Sequence, residues 1–396
     1  MIAELTIDRD ALRANVASLG ALAAPARYFA VVKANAYGHG LIQTARALEG
    51  MVAGFCLYRA DEAAMLRAAG IRAPLLVLGP VESHDLRTAL DSEAAITLWD
   101  PAFARHLGRL ARARDMRATV HVKIDTGVTR LGMSAADAAP AISAFLADDG
   151  LAVRGVFTHL AAAEELESAF TLAQFARFRE SLAPVARELD ARGVLRHAAA
   201  SAAAMLYPEL RLDLIRAGIA TYGIWPSAQT RAAAEIALEL LPALRWSTKL
   251  VLVHDVDAGC SVGYGCSFTT SRASRIGVLP IGYAEGLPCA LSGAGIALAH
   301  GRRVPFVGRI CMNMSFLDVT DVREAAAGST VTLVGTDGSE TLDVNDSAAR
   351  AATIGYELVA RLPAEIPRRY IGAEVLRTPQ PEPVATRDAI SITSAP

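Results

Sequence analysis

Along the first part of the chain, short apolar runs alternate with longer segments whose apolar residues recur at helical spacing. The runs cover 28–33, 52–58, 74–79, 94–98, 118–125, 153–160, 195–199 and 213–222. In the first of them small and β-branched residues are not separated by polar ones, which reads as a buried strand. The segments between them include 39–49, 60–69, 101–113, 134–147 and 170–190, alanine-rich with leucine and arginine at helical spacing. Eight strands, each joined by a helix, is the count of a (β/α)8 barrel of the TIM type. A doubly wound sheet is the alternative, but no Gly-x-Gly-x-x-Gly turn follows the first strand.

Beyond about Trp225 the rhythm changes. A helical pattern over 228–241 leads to closely spaced β-like runs at 244–256, 276–281, 296–299, 303–307, 315–319 and 330–334. Glycine and aspartate turns separate them, which predicts a second, mostly β domain. A last helix is predicted over about 344–362. This division gives residues 9–226 to the barrel and residues 1–8 with 240–376 to the β domain. Residues 377–396, rich in Pro, Thr and Ser, read as a disordered tail.

Composition narrows the function classes. The 396 residues are 53% hydrophobic and 20% charged, enough for a sizeable core. Mean hydropathy is +0.30, but alanine carries much of it, and no apolar run reaches the roughly 18–20 residues of a membrane span. The N-terminus has an early acid and no signal-type apolar region, so a cytoplasmic location is expected. A net charge of −2 without a long basic run gives no support for nucleic-acid or membrane-surface binding. Five cysteines with no Cys-x-x-Cys pair argue against a disulfide framework or a metal site.

Candidate chemistry falls at strand ends, where barrels of this type build their active sites. The first run ends at Lys33, followed by Ala34-Asn35-Ala36-Tyr37-Gly38-His39-Gly40. A lysine there is costly unless its charge is paired or removed. A Schiff base with an aldehyde removes it, and desolvation makes the amine a better nucleophile. From this segment alone, a lysine whose tip reaches water is an equal reading. Other strand ends carry Lys123 with Arg130, then His159, Ser201, and Arg216 with Gly218. Taken singly, His159 suits a core histidine, the arginines suit surface ion pairs, and Gly218 suits a turn. Independent features of that kind have no reason to share one barrel mouth. A lysine, a backbone phosphate site and an arginine able to face a pyridine nitrogen together suggest pyridoxal phosphate.

The set resembles the alanine racemase family over about residues 4–371. Val31-Val32-Lys33-Ala34-Asn35-Ala36-Tyr37-Gly38-His39-Gly40 is similar to its cofactor-lysine signature. Ser261-Val262-Gly263-Tyr264-Gly265 is similar to the segment bearing its catalytic tyrosine, and Cys311-Met312-Asn313 to another active-site segment. The resemblance implies a pyridoxal 5'-phosphate enzyme that interconverts L- and D-alanine by two bases acting on an external aldimine. It implies that Lys33 holds the cofactor and that Tyr37, Ser201, Gly218, Ile219 and Tyr356 hold its phosphate. Arg216 would face the pyridine nitrogen and Arg130 the phenolic oxygen, with His159 between Arg216 and Tyr264. Arg130, Met312 and Tyr283 would meet the substrate, and Lys123 would be carbamylated as in some members. The implied assembly is a head-to-tail homodimer, with Tyr264 and Met312 entering from the partner. D-alanine made this way is a peptidoglycan precursor.

Racemisation needs an acid–base group on each face of the reacting carbon, which Lys33 and Tyr264 would supply. Three positions depart from the family pattern: Ala200 where asparagine is common, Cys289 where arginine is common, and Asn313 where aspartate is common. The last two belong together, because losing an arginine and an acid at once leaves neither charge unpaired. A serine or broader racemase of the same fold is the nearest rival. A non-enzymatic pyridoxal-phosphate protein would lack the β domain, and a related decarboxylase would carry motifs absent here.

Overall fold

Residues 3–373 are described in the computed structural model, so the segment 377–396 read as a disordered tail lies outside the described residues. The first strand, β1 (Ala3–Asp8), ends on a helix cap: the Asp8 carboxylate accepts from the N–H groups of Asp10 at 2.8 Å and Ala11 at 3.1 Å. The helix it starts, Arg9–Ala23, was not among the segments singled out by pattern.

The barrel follows. Its strands are β2 (Arg27–Val31), β3 (Gly54–Leu57), β4 (Leu75–Val77), β5 (Ala94–Leu98) and β6 (Ala118–Asp125). After the two-residue β7 (Met133–Ser134), which pairs with β6, come β8 (Leu151–Phe157), β9 (Leu195–His197) and β10 (Leu214–Ala217). Pairing is parallel throughout, in the order β10-β2-β3-β4-β5-β6-β8-β9. The ring closes through Asp213 N–H to Arg196 O at 3.1 Å and Arg216 N–H to Ala199 O at 2.9 Å. The eight runs are these eight strands: 94–98 and 118–125 match to the residue, and the other six run a residue or more past the strand's end. The helices between them are capped by Asp100, Ser134 and Ser168, short polar side chains that accept from the first free N–H groups.

The second part is β-rich. Its main sheet runs β17-β16-β19-β11-β1-β21, with β20 on β19. These strands are β11 (Leu244–Lys249), β16 (Ile296–Ala299), β17 (Arg302–Pro305), β19 (Thr330–Asp337), β20 (Glu340–Leu342) and β21 (Arg368–Ile371). A three-stranded antiparallel sheet joins β12 (Leu252–Val256), β15 (Ser274–Leu279) and β18 (Ser315–Asp318). A small hairpin, β13 (Ser261–Val262) with β14 (Phe268–Thr269), holds Tyr264 at its tip.

Three predicted elements break where tertiary bonds override local pattern. The run 244–256 changes sheets, because Leu250 N–H turns to Ser329 O and Val251 N–H to Val278 O, both at 2.9 Å. The helix expected over 344–362 divides into Val344–Arg350 and Gly355–Ala360. Between them Ala352 is left-handed, φ 54°, and the Thr353 hydroxyl donates to Glu357. The helix expected over 228–241 stops at Ala234, and Asn15 holds the backbone of Leu241 from both sides, at 2.7 and 2.8 Å.

Candidate active site

Past β2 the chain does something no helix or strand propensity dictates. Ala34, Asn35, Ala36 and Tyr37 are all left-handed, with φ between 51° and 54°. For residues with a Cβ this costs on the order of 1–2 kcal/mol each, so the surroundings must hold it. They do: Ala36 N–H bonds Val32 O at 2.8 Å, Ala34 N–H bonds Glu62 at 3.1 Å, and Asn35 Oδ1 accepts from Leu41 N–H at 2.9 Å. The second part of the molecule braces the turn from outside. Arg368 Nε donates to Gly38 O at 2.8 Å, and Tyr370 donates to His39 O at 3.1 Å. Gly38 must be glycine, since a Cβ there would lie 2.1 Å from Val359 O. The turn sends Tyr37 inward, its ring 5.0 Å from that of Tyr222 and 6.4 Å from that of Tyr356.

Lys33 opens this turn and lines a cavity of about 880 Å³ at the C-terminal mouth of the barrel. Tyr37, Lys123, His159, Ser201, Arg216, Gly218, Ile219 and Tyr356 line it too. Burial, then the charge of Arg130, pulls the Lys33 amine below its ordinary value. On one wall Ser201 Oγ accepts the N–H groups of Gly218 at 3.0 Å and Ala220 at 3.4 Å. A Cβ on Gly218 would lie 2.5 Å from the Tyr37 hydroxyl, so this glycine gives that hydroxyl its place. Tyr356 donates to Glu164 at 3.3 Å, and burial raises the titration of both groups.

Arg216 is buried, with no carboxylate paired to it among the described residues. Its guanidinium meets neutral acceptors: His197 Nδ1 at 2.6 Å, Thr158 O at 2.9 Å and Ala198 O at 3.1 Å. Phe157 underlies it at 5.0 Å and stacks on His197 at 4.7 Å. Burial lowers even this guanidinium to about 10. Lys123 is 6% exposed and is lowered to about 8 by burial, then by Arg130 and Arg216. His159, lowered to about 3 by burial and then Arg216, is neutral. The imidazole bonded to Arg216 is His197, and no hydrogen bond joins His159 to Arg216 among the described residues.

Arg130 sits exposed on the loop after β6, close enough for its charge to reach Lys33, Lys123 and His159. That loop is gathered on Asp125, which accepts from the N–H groups of Gly127, Val128, Thr129 and Arg130 at 2.9–3.2 Å. Tyr264, Met312 and Tyr283 do not reach the Lys33 cavity. They line an open concavity of about 1190 Å³ on the second part of the molecule, with Cys289, Cys311 and Asn313. Tyr264 is 72% exposed and Met312 57%. Asn313 Nδ2 donates to Glu285 at 2.7 Å.

Family comparison decides between the readings. The model described as "Alanine racemase, N-terminal domain" matches residues 7–226, and "Alanine racemase, C-terminal domain" matches 243–370. The chain belongs to the alanine racemase family. The alanine racemase of Desulfosudis oleivorans is 40% identical over 378 residues, covering 92% of this chain and 95% of that protein. That of Methanococcus maripaludis is 33% identical, covering 92% and 97%. Among solved structures, alanine racemase from D-cycloserine-producing Streptomyces lavendulae superposes with a TM-score of 0.87 at 34% identity, covering 94% and 98%. The Bacillus anthracis alanine racemase with bound L-Ala-P gives 0.85 at 31%, covering 94% and 95%. The barrel and the mostly β second part are those of alanine racemases. Sequence reasoning gave no role to His197, Phe157 or Glu164. His197 stood in view, at a strand end four residues before Ser201.

Proposed function

We propose that this racemase interconverts L- and D-alanine in the barrel cavity, using pyridoxal 5'-phosphate and a tyrosine from a second copy of the chain. The observation that carries the reading is Lys33: a primary amine with lowered basicity lining a cavity that Tyr37, Ser201, Gly218 and the guanidinium of Arg216 also line. Those residues fit the cofactor. Tyr37, Ser201, Gly218, Ile219 and Tyr356 suit its phosphate, Arg216 its ring nitrogen, Arg130 its phenolic oxygen, and Lys33 its aldehyde. Bound there, pyridoxal phosphate supplies a carbonyl for the substrate amine and an electron-withdrawing ring that acidifies the α-proton.

The chain's own groups do the proton work. Lys33 Nζ takes or returns the proton on one face of the α-carbon, and the Tyr264 hydroxyl serves the other. Arg216 gives up its proton reluctantly, and its three neutral partners fix its orientation, so it donates a hydrogen bond to its ligand without transferring a proton. Burial first, and then the charge of Arg216, keep His159 neutral. The exposed set of Tyr264, Tyr283, Met312 and Met314 supports a dimer, because a patch of large apolar side chains marks an interaction surface. The proposal places the enzyme in the cytoplasm, which suits its five unpaired cysteines. Among the described residues no helix is long and apolar enough to cross a membrane.

The test is to incubate the cofactor-loaded protein with L-alanine in D2O. Conversion to an equal mixture of enantiomers, deuterated at the α-carbon, is expected; retention of L-alanine would contradict the reading. Tyr356 crowds the substrate side, so serine should turn over more slowly and lysine not at all.

A further inference from the structure

Arg216 heads a hydrogen-bond ladder whose last rung ends away from the active site. A guanidinium only donates, so His197 Nδ1, 2.6 Å from Arg216, must accept. Neutral His197 then carries its hydrogen on Nε2, which lies 2.9 Å from Nδ1 of His121. That donation leaves neutral His121 with its own hydrogen on Nε2. This N–H has no hydrogen-bond acceptor among the described residues, although His121 is only 5% exposed.

The strand geometry that seats His121 is specific. The register of β6 and β8 shifts between Val120 and His121, leaving Arg154 outside the pairing and setting His121 against Gly155. A Cβ on Gly155 would lie 2.3 Å from His121 Nδ1. His121 lines a cavity of about 590 Å³ at the N-terminal ends of the barrel strands, opposite the Lys33 mouth, with Arg27, Arg67, Arg72, Arg117 and Arg154. Arg67 and Arg117 spend donors on backbone carbonyls. The guanidiniums of Arg27, Arg72 and Arg154 make no side-chain bond or ion pair among the described residues. Glu93 also lines the cavity, and Glu49 lies nearby, accepting from the N–H groups of Arg72 and Ala73.

We infer that this cavity binds a small oxyanion, such as phosphate or a carboxylate, which accepts from His121 Nε2 and is neutralised by Arg27, Arg72 and Arg154. A metal cation is excluded by the ladder itself, since both ring nitrogens of His121 are committed, one as acceptor and one as donor. The site lies outside the racemisation machinery and does not rest on that function.

The test soaks crystals of the cofactor-loaded protein in selenate and locates it by anomalous scattering. A peak within hydrogen-bond reach of His121 Nε2 is expected, and its loss in the Arg27→Ala/Arg154→Ala double variant. In solution, phosphate at constant ionic strength should raise the melting temperature of the parent at least twice as much as that of the variant. Racemisation by the variant should stay within about twofold of the parent. No peak in the cavity, or an equal peak and equal stabilisation in parent and variant, would overturn the assignment, the second marking an adventitious ion only.

Discussion

Lys33 and Tyr264, the two residues assigned to proton transfer, line separate cavities of the same chain. Lys33 is half-buried at the barrel mouth, whereas Tyr264 stands 72% exposed at the tip of a hairpin. On the proposed reading a single chain carries both bases but does not bring them to one cavity.

Lys33 should carry the cofactor. Borohydride reduction of the loaded protein followed by peptide mapping should place the pyridoxyl group on Lys33. A label on Lys123 or Lys249 would contradict the assignment.

Gly218→Ala should weaken the hold on pyridoxal phosphate more than it weakens the fold. Its Cβ would sit 2.5 Å from the Tyr37 hydroxyl and displace it from the wall shared with Ser201. Overpacking of this kind costs about 1–3 kcal/mol, so affinity should fall by roughly ten- to a hundredfold. Equilibrium dialysis measures it, and unchanged affinity would remove the wall from the account.

Lys123 should be carbamylated. Its amine, lowered to about 8 by burial and then by Arg130 and Arg216, makes no ion pair among the described residues, so it is both nucleophilic and repelled by those two guanidiniums. Carbon dioxide would turn that cation into an anion facing Arg130. Protein equilibrated with 13C-bicarbonate should show a carbamate resonance that Lys123→Met abolishes; its absence in the parent would contradict the prediction.

Stability should fall as pH drops below about 6.5. Burial, first among the causes, holds His39 at about 4 and His121 at about 3, and holds His197 well below its ordinary value. All three fold neutral. Above 6.5 neither state binds protons at these sites and they contribute nothing to pH dependence. Below it the unfolded chain takes up protons that the folded chain refuses, so stability declines until the folded values are reached. Each site contributes a slope of about 1.4 kcal/mol per pH unit. Denaturant titrations at pH 7.5 and 5.0 should show the loss, reduced in His39→Phe. Equal stability at both values would contradict it.

The barrel was legible because short, mostly apolar runs such as 28–33 and 94–98 recur between helical patterns and stand out without help from the rest of the chain. Lys33 stood out as a charge ending such a run, although that segment alone read equally well as a lysine whose tip reaches water. Elements whose bounds depend on distant partners were not. Nothing local in 244–256 announces that Leu250 turns to Ser329, and nothing in Ala34–Tyr37 announces four left-handed residues braced by Arg368 and Tyr370. His197 was missed because its role lies in which nitrogen faces Arg216, a fact of tertiary geometry.

The central claim is that each active site is completed by two chains, and subunit mixing tests it most directly. Lys33→Ala and Tyr264→Phe should each be inactive as homodimers, because each lacks one required base. After verified subunit exchange, a mixed dimer has one site with both bases intact and one with neither. With equal random mixing, half the dimers are mixed and half their sites work, so activity should return to about a quarter of the parent level. If Tyr264 serves its own chain, every site in the mixture still lacks a base, and no recovery would contradict the account.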